Sequence, residues 1–98
     1  MEISLREPNS GQPYPIVEGG AHGTLLIVSR SFADVYPFYK LAGQTGAVTL
    51  NALRDAVQRL GTERTVDYNE PTEGNVGHVC ALLADWAERN PAGVWEVT

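Results

Sequence analysis

Residues 75–98 read NVGHVCALLADWAERNPAGVWEVT, and this stretch decides the fold class. Val76, Val79, Cys80, Leu83, Trp86 and Ala87 recur at helical spacing and share one face. Asn90-Pro91 stops the helix, because proline lacks the backbone donor and its ring clashes with the preceding turn. Gly93 frees the backbone, and Val94-Trp95-Glu96-Val97 suits a strand by its β-branched and aromatic content. An amphipathic helix running into an aromatic strand implies a compact mixed domain.

The upstream chain supplies partners for both. Residues 1–7 alternate, with Ile3 and Leu5 on one side, and read as a first strand. Residues 8–23 are rich in Pro, Gly, Asn and Ser and read as a long loop, in which residues 14–17 offer an edge strand. Residues 24–29 are the best candidate for a strand buried on both faces. Ser31 offers an N-cap for a helix over 32–42, which Pro37 must start or kink. After the break at residues 43–46, Thr49 reads as the cap of a helix whose stripe is Leu50, Leu53, Val57 and Leu60, ending at Gly61. Residues 62–68 read as a short strand with Val66 and Tyr68 on one side. The sum is an α+β fold: a small, mainly antiparallel sheet of three or four strands with about three helices packed on one face. The two terminal segments, both short and half apolar, are expected to be neighbouring strands.

Bulk composition narrows the class. Ninety-eight residues make a single domain, 1–98, that buries roughly two-thirds of its unfolded surface. The 43% apolar and 19% charged shares are those of an ordinary globular chain. One cysteine cannot form an internal disulfide, which fits a reducing, cytoplasmic setting. No apolar run resembles a signal peptide or a membrane span, so no membrane contact is expected. Twelve acidic against seven scattered basic residues leave a net charge of −5 and no basic patch, which argues against direct nucleic-acid binding.

Candidate chemistry is sparse. Glu63, Asp67, Glu70 and Glu73 precede His78 and resemble a set of oxygen ligands. The stretch lacks the glycine and the distant glutamate of a calcium loop, so a solvated loop with Glu73 at the positive end of a helix is the better account. No metal or cofactor is expected. His78 and Cys80 lie two apart on a helix and face different ways, a poor geometry for a nucleophilic pair. His22 sits in a glycine-rich loop with no nucleophile named beside it, and the glycines match no phosphate-binding motif. No catalytic residues are assigned.

The most suggestive side chains are aromatic. Tyr36 and Tyr39 flank Pro37 and Phe38, and tyrosines beside acidic groups are typical of protein contact surfaces. The expected function is a small acidic, non-enzymatic interaction module of the inhibitor or adaptor kind. Its partner protein would be bound through Tyr36, Tyr39, Asp67, Glu70 and Glu73. The alternative is a small ligand-binding or hydrolytic domain using His22 or His78 with Glu73 near the glycine-rich loop. The terminal strand, if it lies at a sheet edge, offers free backbone groups to a partner or to a second copy as a homodimer.

Overall fold

The structure is a computed structural model that describes residues 1–16 and 23–98. In chain order it contains β1 (Glu2–Arg6), β2 (Leu25–Leu26), α1 (Phe32–Val35), a 3₁₀ turn (Phe38–Leu41), α2 (Gly46–Leu60), α3 (Glu73–Arg89) and β3 (Val94–Val97). The sheet order is β2-β1-β3, antiparallel throughout, so the two terminal segments do lie side by side. Leu5 pairs with Trp95 and Ile3 with Val97 and Leu25. Pleating therefore sends Ile3, Leu5 and Trp95 to one face, where all three are buried, and Glu2 and Glu96 to the other, where both are exposed. Arg6 and Glu96 form an ion pair of 3.1 Å on that outer face.

Helices α2 and α3 supply the opposite half of the core. On α3, Val76, Cys80, Leu83, Trp86 and Ala87 are buried together, and the Trp86 and Trp95 rings meet edge to face at 5.6 Å. Such pairs contribute about 0.5–1.5 kcal/mol beyond area burial alone. Glycine lets α2 and α3 approach. A Cβ on Gly77 would lie 1.7 Å from the Gly61 carbonyl oxygen, at the end of α2. The α-carbon radius of gyration, 12.5 Å, matches the ~13 Å of a compact domain of this length.

Several local expectations are corrected. Helix α2 begins at Gly46, and its cap is Thr45, whose hydroxyl accepts from the Val48 N–H at 3.3 Å. Thr49 lies a turn inside the helix and is buried. Gly46 is a packing glycine here, since a Cβ would come within 2.9 Å of the Asn90 carbonyl oxygen. Pro37 divides the expected helix over 32–42 into α1 and the 3₁₀ turn. Residues 24–29 do not form a strand buried on both faces. Only Leu25–Leu26 pair with β1, at the sheet edge, and Leu26 and Val28 are 61% and 66% exposed.

Residues 62–68 form no strand at all, and Val66 is fully exposed. Of the described residues 14–16, only Tyr14 hydrogen-bonds β1, donating its N–H to the Leu5 carbonyl at 2.8 Å beside a lone Arg6–Pro13 bridge. Val17 and the glycine-rich segment through His22 lie outside the described residues. Among the described residues no helix is long and apolar enough to cross a membrane.

Candidate functional site

The organising residue is Asn75, in the first turn of α3 and 3% exposed. Thr72 caps the helix by accepting from the Asn75 N–H at 3.2 Å. The Asn75 side chain then turns back into the loop of residues 62–72. Its amide nitrogen donates to Thr65 Oγ1 at 2.8 Å, to the Asp67 carbonyl at 3.1 Å and to the Glu70 carbonyl at 2.8 Å. Its oxygen accepts the Thr65 N–H at 3.0 Å. A buried amide that fills both its donor and acceptor sides costs nothing in orphaned polarity and holds one loop conformation. The Asp67 carboxylate faces the other way and accepts the Asn69 N–H at 3.0 Å.

This arrangement explains why an irregular loop replaces the expected strand. Two of the backbone groups that a ladder would use, the Thr65 N–H and the Asp67 carbonyl, are taken by the Asn75 side chain. It also presents the loop's own side chains outward. Val66, Asp67, Tyr68, Glu70 and Glu73 are all exposed, Tyr68 at 58%. The Arg64 guanidinium lies 3.5 Å from the centroid of the Tyr68 ring, a stacked cation–π contact.

Beside the loop runs a concavity of about 230 Å³, between β2 and the first half of α3. Residues 25–28 and Phe32 line it on one side, Val79 and Leu82 contribute from the helix, and Arg64, Tyr68, Asn69 and His78 supply the polar atoms. The His78 imidazole is pushed below its ordinary pKa, chiefly by burial and secondarily by the charge of Arg64. Burial and the neighbouring positive charge both favour its neutral form.

The residues expected to bind a partner are only partly brought together. Asp67, Glu70 and Glu73 lie on or next to the loop that Asn75 holds. Tyr39 is 54% exposed, on the 3₁₀ turn. Tyr36 is corrected: it is 8% exposed and packs edge to face against Phe38 at 5.0 Å, so its ring belongs to the core. Burial raises its hydroxyl pKa, as expected of a phenol withdrawn from water.

The chemistry of the alternative reading is thin by comparison. His78 lines the concavity, whereas Glu73, five residues earlier on the same helix, points about 140° away around the axis. His22 lies outside the described residues. The Cys80 thiol is buried in the core and its pKa is pushed up to about 12, mainly by burial, so it is not a nucleophile at neutral pH. Among the described residues no three His, Cys, Asp or Glu side chains gather as metal ligands.

Two features escaped sequence reading. The loop-holding role of Asn75 leaves no local signal, since Asn at the start of a helix is common as a cap. The exposure of Val66 and Tyr68 was masked by their strand-like alternation. Comparison with protein-family models, with curated proteins and with solved structures finds no match.

Proposed function

We propose that the protein is a small non-enzymatic interaction module that binds a partner protein through the loop of residues 62–72 and the adjoining concavity. One observation carries this reading: a fully exposed Val66 and a largely exposed Tyr68 stand on a loop whose backbone is tied to buried Asn75. Single exposed apolar side chains are ordinary, but contiguous ones rimmed by polar groups mark contact sites, and Tyr68 lines the same concavity as exposed Leu26 and Val28. A loop ordered in advance loses less conformational entropy on binding than a mobile one. The exposed carboxylates of Asp67 and Glu70 on the same loop, and of Glu73 at the start of α3, suit the polar rim of a protein interface, with Tyr39 as a further exposed aromatic. Action as an inhibitor or adaptor, in the cytoplasm, accords with the small size, the acidic surface and the unpaired cysteine.

The test is affinity capture with tagged protein, comparing surface variants that leave the core untouched. Val66→Asp with Tyr68→Ala should abolish retention of a stoichiometric partner, and Asp67→Lys with Glu70→Lys should weaken it. Val48→Asp, at an exposed position on α2, should not. Retention of the same partner by all three proteins would reject this surface.

A further inference from the structure

We propose that the outer edge of β2 accepts an extended segment of a partner protein as a fourth strand, the segment being apolar and bearing a carboxylate. This rests on the interaction-module reading and states how the partner is held.

The argument begins with register. Met1 and Ile27 exchange both hydrogen bonds: the Ile27 N–H donates to the Met1 carbonyl at 2.8 Å, and the Met1 ammonium donates to the Ile27 carbonyl at 3.0 Å. In an antiparallel pair, bonded and non-bonded positions alternate. Leu26, which pairs with Glu2, therefore turns its N–H and C=O away from β1 and out of the sheet. The opposite edge is built differently. There the Trp95 N–H donates to the Gln44 carbonyl at 2.9 Å, and the Trp95 carbonyl accepts from Gly43 at 2.9 Å. The chain before α2 thus covers β3, so the expected pairing of a second copy along that strand finds its central groups taken.

The β2 edge is short, two residues, and among the described residues it carries no charge, proline or bulge that would discourage pairing. Leu26 and Val28 are both well exposed. The same residues line the concavity that Val79 and Leu82 of α3 complete. A strand added at the usual spacing of roughly 4.8 Å sends alternate side chains into that space. Backbone bonds to Leu26 supply affinity, and the concavity reads the inward side chains.

Charge selects the occupant. Arg64 is the one charged residue among the described lining, and among the described residues it forms no ion pair with a carboxylate. An Asp or Glu on the added strand meets that guanidinium. A second copy of this chain brings −5 against −5, whereas the proposed segment needs a single carboxylate, placed at Arg64.

The experiment selects binders from a phage-displayed library of random linear peptides, with counter-selection against a Leu26→Asp, Val28→Asp protein. Both substitutions fall at exposed positions and leave the core intact. The expected peptides alternate apolar residues and carry an acid. Binding should slow exchange of the Leu26 amide roughly tenfold or more, as for any amide newly bonded in a ladder. N-methylation of the peptide's alternate amides should abolish binding in one phase only, and Arg64→Glu should weaken it. Peptides that bind equally in both N-methylated phases, or that protect only residues 65–70, overturn strand addition and leave the interaction-module reading standing. A selection that recovers nothing beyond the counter-selected protein also overturns it. So does a wild-type dimer in sedimentation that the double variant loses, which would assign the edge to a second copy.

Discussion

The indole Nε1 of Trp95 donates to the Thr49 hydroxyl at 2.7 Å, and both residues are buried. The bond joins the last strand to α2 across 46 residues. Thr49 is satisfied on its other side too, because its hydroxyl reaches the Thr45 and Gly46 carbonyls at 3.1 Å each. Substitution Thr49→Val keeps the shape and strands the indole donor. It should lower stability by about 1–3 kcal/mol, the cost of an orphaned buried group. Urea titration should show a lower midpoint with unchanged slope, and Thr49→Ser should recover most of the loss.

Asn75→Asp tests the loop's anchor. A carboxylate keeps the acceptor for the Thr65 N–H but loses every donor, and it would face the Asp67 and Glu70 carbonyls. The loss should be about 3 kcal/mol, because a shared polar network fails as a unit. Hydrogen exchange should accelerate at the Thr65 amide in Asn75→Ala, whose side chain offers no acceptor, before the α3 interior is affected.

Gly77→Ala should destabilise the protein although alanine is the better helix former. The new Cβ would collide with the Gly61 carbonyl at 1.7 Å, so the end of α2 must shift. Overpacking of this kind costs about 1–3 kcal/mol or more, against a propensity gain of up to about 1 kcal/mol. Thermal melts of the two proteins decide the sign.

Cys80 makes stability fall at high pH. Its folded pKa of about 12 stands above the ordinary 9.0, so the unfolded chain releases the thiol proton first. The folded state binds more protons between those values, and stability drops there by up to about 1.4 kcal/mol per pH unit. Cys80→Ala should flatten the slope over that window. At pH 8, thiol labelling of the native protein should proceed only as fast as the chain unfolds.

Much of the scaffold was legible locally. The stripe from Val76 to Ala87, the stop at Pro91 and the β-rich run of β3 report their own structures, because helix periodicity and proline sterics act within a few residues. The pairing of the two chain ends followed from their half-apolar character.

Tertiary packing decided the rest. Val66 and Tyr68 alternate as a strand would, yet Asn75 captures the backbone around them and leaves both exposed. Tyr36 and Tyr39 look alike beside Pro37, but one ring enters the core against Phe38 and the other meets solvent. Thr49 resembles a cap and serves as the acceptor for an indole brought from the far end of the chain. Gly46 and Gly77 look like helix breakers and are the points where backbone meets backbone. For Asn75, Thr49, Gly46 and Gly77 the deciding partner is remote in sequence, so short-range periodicity and propensity carry no trace of it; the residues themselves determined the helices and the strand-forming runs, and only the folded chain determined which polar groups and rings found partners and which were left exposed.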